Sequence, residues 1–167
     1  TEAFEGACSV AVPPNGDRAY LINGNTLRSW NNVGPPIETE MSFSPFCIGA
    51  SNDLVVVGGI ESSALDDEPR RPGRAIALVL NSTGAIVSTH HGDVKTLITA
   101  VRLLPDGRLV IGDNKGVVKV LHIGSTEPIW TNTPQQFMVW SLDVHDNLLL
   151  VGATSGAISL LQLEDGR

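Results

Sequence analysis

Residues Ala100–Ile123 read AVRLLPDGRLVIGDNKGVVKVLHI. The Asp106-Gly107 pair stands where a tight hairpin needs residues that tolerate positive φ. After it the run Arg108–Gly112 leads to a polar turn, Asp113–Gly116, and then to a second apolar run, Val117–His122. Strand, turn, strand is the reading, because apolar and β-branched residues come in short blocks and show no period of 3.6.

The same order recurs along the chain. Asn15-Gly16 precedes Arg18–Asn23, the Gly24-Asn25 turn and Thr26–Asn31, and Asp146-Asn147 precedes Leu148–Ala153, Thr154–Gly156 and Ala157–Gln162. Counted from the second turn residue, Gly16 to Trp30, Gly107 to Leu121 and Asn147 to Leu161 each span 14 residues. Asn52-Asp53 opens another copy, in which Asp53 to Leu80 is 27 residues, 13 more than elsewhere. The excess falls in Glu61–Pro72 (ESSALDDEPRRP), whose charges and prolines oppose strand pairing and predict an inserted loop over 61–72. Leu80 to Leu121 is 41 residues and Leu121 to Leu161 is 40. A period near 40 made only of strands predicts an all-β domain of β-propeller blades, at about 7–41, 46–91, 98–133 and 139–167.

On these residues the chain resembles the WD40 family of β-propellers. Leu104-Pro105-Asp106-Gly107 is similar to the end of that family's innermost strand and its turn, and Trp30-Asn31 stands where the Trp-Asp pair belongs. Leu80-Asn81, Leu121-His122 and Leu161-Gln162 take that place in the other copies, and His91-Gly92 is similar to the Gly-His element with its order reversed. The resemblance implies about four antiparallel four-stranded blades and structural roles for Trp30, His91 and Asp113, with Asp113 capping its own hairpin and accepting a hydrogen bond from His91. Gly116–Trp130 and Gly156–Arg167 also resemble quinoprotein-type propeller repeats. The cofactor-binding and metal-binding residues of that family have no counterparts in this sequence, so no cofactor is expected.

Repeat units gain their stability from neighbours. By this register the last blade ends after its third strand, and Thr1–Gly6 is too short to supply a fourth. The expectation is a propeller, or part of a larger one, completed by further sequence, by a second copy or by a protein partner that pairs with the open edge.

Composition narrows the function. The 167 residues carry 11 Lys+Arg against 18 Asp+Glu, a net charge of −7, so clustered phosphate contacts are not expected and nucleic acid is not the expected partner. The longest apolar run, Leu54–Ile60, falls far short of the roughly 20 residues of a membrane span, and the expected place is intracellular, cytoplasmic or nuclear. Cys8 and Cys47 fall on innermost strands and read as small core residues of a reducing compartment. His90, His91, His122 and His145 show no metal-ligand spacing, and a trio of Ser88, His90 and Asp93 lacks the nucleophile elbow that would support it. No catalytic, cofactor-binding or metal residue is expected.

Two stretches are candidates for partner binding. The loop carries Glu61, Ser62, Ser63, Asp66, Asp67, Glu68, Arg70 and Arg71, and its arginine pair suits a carboxylate or phosphate. Pro134–Trp140 (PQQFMVW) offers Phe137 and Met138 as interface residues, with Trp140 expected to pack between blades. The function that follows is a non-enzymatic protein-protein interaction scaffold within a larger complex. Two alternatives stand beside it: a ligand-binding or enzymatic propeller using a central channel, with Arg102 and Asp143 on its wall, and a self-associating structural half-propeller.

Overall fold

The computed structural model describes residues 7–31, 34–61 and 73–167, and only the backbone of residues 7 and 8. Among the described residues every element is a strand and none a helix. The first sheet holds β1 (Ala7–Ala11), β2 (Arg18–Asn23), β3 (Thr26–Asn31) and β4 (Ile37–Glu40), and the second holds β5 (Ser44–Ala50), β6 (Leu54–Glu61), β7 (Arg74–Asn81) and β8 (Ile86–Val94). The third is built of β9 (Ile98–Leu103), β10 (Arg108–Asp113), β11 (Val118–His122) and β12 (Pro128–Asn132). The fourth, among the described residues, is β13 (Val139–His145), β14 (Leu148–Ala153) and β15 (Ile158–Gln162). All four are antiparallel meanders in chain order, the product of tight turns at the expected places. Gly16 (φ 70°), Gly107 (83°) and Asp146 (52°) turn the first hairpins of the first, third and fourth sheets. Asp is among the few side chains that tolerate the left-handed region.

Each innermost strand carries one unpaired residue, a β-bulge, at the same level: Cys8, Phe46, Thr99 and Trp140. Aligning the sheets on these bulges makes Ala19–Trp30, Val55–Leu80, Leu109–Leu121 and Leu149–Leu161 equivalent cross-strand pairs. Trp30 therefore does share its place with the three leucines, but by compensation. Gly16 to Ala19 is 3 residues where Gly107 to Leu109 is 2, and Ala19 to Trp30 is 11 where Leu109 to Leu121 is 12. The 14-residue spacing of the first copy conceals a longer turn followed by a shorter hairpin.

The sheets stack in sequence with an apolar core at each junction. Tyr20, Ile22 and Leu27 meet Ile48, Val55, Val57 and Leu80 at the first. At the second, Val56, Ala77 and Val79 meet Ile98, Val101, Leu109, Ile111 and Leu121. Val110, Val118 and Val120 meet Leu149, Val151 and Leu161 at the third. Period-2 alternation thus sends one set of side chains to the sheet before and the other to the sheet after. Each fully buried Val or Leu contributes roughly 1.5–3 kcal/mol. Gly58 and Gly112 let the next innermost strand approach: a Cβ there would lie 2.6 Å from Ile98 Cγ2 and 2.4 Å from Val139 Cγ1. Trp130 on β12 donates its Nε1–H to the Leu163 carbonyl at 2.9 Å, tying the segment after β15 to the third sheet.

Innermost strands β1 and β5, β5 and β9, and β9 and β13 pack on one another. Among the described residues β13 and β1 have no comparable contact, so the row of sheets is open rather than closed into a ring.

Candidate functional site

All four innermost strands border one concave space of about 550 Å³. Phe46 and Trp140, two of the bulge residues, meet edge to face across it with centroids 6.2 Å apart and planes at 80°. Trp140 is 59% exposed and so lies on this wall, not between sheets as its sequence context suggested. The bulge turns its side chain out of the alternation that would have buried it. Arg102 and Asp143 form an ion pair at 3.2 Å that bridges β9 and β13, both groups being well exposed. Exposed pairs of this kind add little to stability. The wall offers an aromatic pair and one satisfied charge pair.

A second cavity, of about 380 Å³, lies between the second and third sheets. Three of the four buried polar side chains among the described residues line it: His90, Thr96 and Asp113. Asp113 Oδ1 accepts the backbone N–H groups of Lys115 at 2.8 Å and Val117 at 2.9 Å, so it caps its own hairpin. His91 instead faces Glu61 at 3.7 Å. The two line one cavity, yet the expected His91–Asp113 hydrogen bond is not among their contacts, because the short Asp side chain is taken up by its own turn. Thr96 Oγ1 is buried without a partner.

The Ser88, His90, Asp93 trio is only partly assembled. Ser88 Oγ lies 3.1 Å from His90 Nε2, and the Gly124 N–H donates to the same hydroxyl at 3.2 Å. The His90 ring is also held by the Ser125 backbone, while Asp93 faces Lys119 at 3.8 Å. Burial is the largest influence on His90 and lowers its pKa; the Ser125 backbone opposes it and His91 adds to it. Among the described residues no carboxylate orients the His90 imidazole, and a Ser–His pair without one lacks the arrangement that activates a nucleophile. Among the described residues no group of three His, Cys, Asp or Glu side chains could hold a metal, and no helix is long and apolar enough to cross a membrane.

Of the expected partner-binding residues, Glu61 ends β6, Phe137 is exposed and Met138 half-buried, both just before β13. Ser62, Ser63, Asp66, Asp67, Glu68, Arg70 and Arg71 lie outside the described residues. Cys47 is buried, with Sγ 3.7 Å from the Ile98 carbonyl.

The feature that sequence reading missed is the outward face of the fourth sheet. Leu150, Ile158 and Leu160 are 44%, 70% and 58% exposed. By the bulge alignment their counterparts are Val110, Val118 and Val120 in the third sheet and Val56, Ala77 and Val79 in the second, and all six have no exposure. Nothing in residue type separates the two situations, so only the absence, among the described residues, of a following sheet in the stack makes the fourth face visible.

No family model matches the chain, and no curated protein matches it either. Among solved structures the chain is similar to the computationally designed Ika4 protein, at 18% identity over 96% of both chains with a TM-score of 0.72. It is also similar to the computationally designed Ika8 protein, at 17% identity and a TM-score of 0.68, where 96% of this chain lies on 47% of that one. At these identities the likeness shows the fold alone.

Proposed function

We propose that the chain is a WD40-like propeller, or part of one, and acts as a non-enzymatic protein-protein interaction scaffold in a larger complex, inside the cell. The observation that carries this reading is the apolar face formed by Leu150, Ile158 and Leu160, laid out as the faces that the second and third sheets bury. Contiguous exposed apolar side chains on a rigid sheet mark an interaction site. The mechanism is rigid presentation: three packed junctions hold the fourth sheet in place, and a partner buries its free side.

The test is affinity capture with the wild-type chain and with Leu160→Lys, read together with a thermal melt. A bound protein that L160K releases, with the melt of the chain retained, supports the reading. A partner held equally by both places recognition elsewhere and overturns this use of the face.

A second reading, a small-ligand site, is favoured by the gathering of His90, Thr96 and Asp113 around the 380 Å³ cavity. An unpartnered buried hydroxyl costs free energy, about 1–3 kcal/mol, that a bound polar group would recover. Ligand-observed NMR of a fragment set, repeated on Thr96→Val and Asp113→Asn, tests it; fragments that bind all three proteins alike would sink it.

A further inference from the structure

We infer that the fourth sheet's outward face is covered by the first sheet of a second copy of this chain, so that two copies join head to tail. This rests on the scaffold reading above and names its partner.

The chain contains three worked examples of what covers such a face. At each internal junction the second and third strands of one sheet are covered by the innermost strand and the backward-facing residues of the next. Gly58 admits Ile98 and Val101, and Gly112 admits Val139. Gly152 holds the same place in the fourth sheet, opposite Ser141 as Gly58 is opposite Cys47. A Cβ on Gly152 would come close only to Ser141 Oγ, at 2.5 Å, a side chain of its own sheet. The fourth sheet therefore keeps the glycine that makes room for an innermost strand, with no innermost strand among the described residues against it.

The matching half is the opposite face of the first sheet. Ile48, Val101 and Leu142 point back towards the preceding sheet, and their counterpart by register is Val10, which is 69% exposed. Val12, one alternation further on, is 62% exposed, and Trp30 shares its place with the buried Leu80, Leu121 and Leu161. Ala7 holds the register position of Ile98 and Val139, the two residues that fill the glycine spaces. On the same face Leu21, the counterpart of Val57, Ile111 and Val151, is only 5% exposed, so the part of it that each chain leaves open is the innermost-strand strip of Val10 and Val12. Because the row is open, its own first sheet does not cover its fourth. A head-to-tail contact is heterologous, and it forms a closed ring when the rotation between copies returns to the start.

The experiment is the solution mass of the 167-residue chain by light scattering over a concentration series. Twice the chain mass is expected for the wild type, and the single-chain mass for Leu160→Lys and for Val10→Lys. Gly152→Ala, whose methyl group the chain itself accommodates by turning Ser141, is also expected to be single while keeping its circular dichroism spectrum. An equimolar mixture of L160K and V10K is expected to pair again, because each lacks a different face and one intact joint remains. A wild type that is single at every concentration overturns the proposal. Pairing that survives V10K but not L160K overturns it too, since fourth sheets would then be meeting each other. The scaffold reading has its own outcome: it stands if a single chain holds another protein that L160K releases, and falls with the proposal if the face binds nothing.

Discussion

Val120 and Leu160 hold equivalent places in the third and fourth sheets, each paired with a residue of the second strand, Val110 and Leu150. Val120 has no exposure and Leu160 is 58% exposed. The strands that carry them are alike in length, turn and glycine placement, so the difference comes from the neighbouring sheet and not from the strand. Burial in a stack is a property of the junction, and a terminal sheet keeps the side chains of an internal one.

Placing a charge at the two positions is the strongest way to break the comparison. Val120→Lys would bury an ammonium among Val110, Trp130 and Leu149 with no counter-ion in that core, and a loss of 4 kcal/mol or more, on the order of the whole stability of a small domain, is expected. Leu160→Lys, measured by urea unfolding of separated chains, is expected to change stability by no more than about 0.5 kcal/mol. Equal losses at both sites would mean that the fourth face is covered within a single chain.

A methyl group at the paired glycines gives a smaller contrast. Gly112→Ala would set a Cβ 2.8 Å from Val139 Cβ, and forcing the sheets apart costs about 1–3 kcal/mol. Gly152→Ala meets only the Ser141 hydroxyl, which can turn away, so a change well below that of G112A is expected in the same urea experiment. A G152A loss as large as that of G112A would place a strand against Gly152.

Much of this stack could be read from the residues. Asp106-Gly107 and Asn15-Gly16 set their hairpins, and the positions 14 residues on fall in equivalent cross-strand pairs. The compensating turn lengths of the first sheet could not be read, because two opposite one-residue changes leave the sum unaltered. The bulges at Phe46 and Trp140 carry no sequence mark either, since any residue can be the unpaired one, and Trp140 therefore looked like a core residue. The polar cavity joins β8, the turn before β9, and β10; no spacing along the chain links His90, Thr96 and Asp113. The open face was hidden for the reason given by Val120 and Leu160.

The Trp130 indole offers a milder test of what fastens the fourth sheet to the third. Its Nε1–H bonds the Leu163 carbonyl at 2.9 Å, and its ring lies against Gly166, where a Cβ would be 2.7 Å from Cε3. Trp130→Phe keeps an aromatic ring but leaves that carbonyl without its donor, which costs about 1–2 kcal/mol. Hydrogen exchange is expected to quicken at Leu163 and Gly166 more than at β10. Uniform quickening over both sheets would show that the indole supports the junction as a whole.

The smallest expected effect concerns the junctions themselves, since the second is bordered by titratable groups and the core of the third is apolar. Burial holds the His90 pKa below its ordinary value of about 6.5, with His91 acting in the same direction. The unfolded chain then binds more protons than the folded one between these two values. Stability is full above about pH 6.5 and is lost as pH falls from there to the folded pKa. His90→Gln removes this dependence, so its stability should stay level through that window while the wild type declines. Asp93, Asp113, Lys119 and Arg74 also border the cavity, and H90Q leaves all four in place. A decline of the same slope in H90Q would show that the effect does not come from His90.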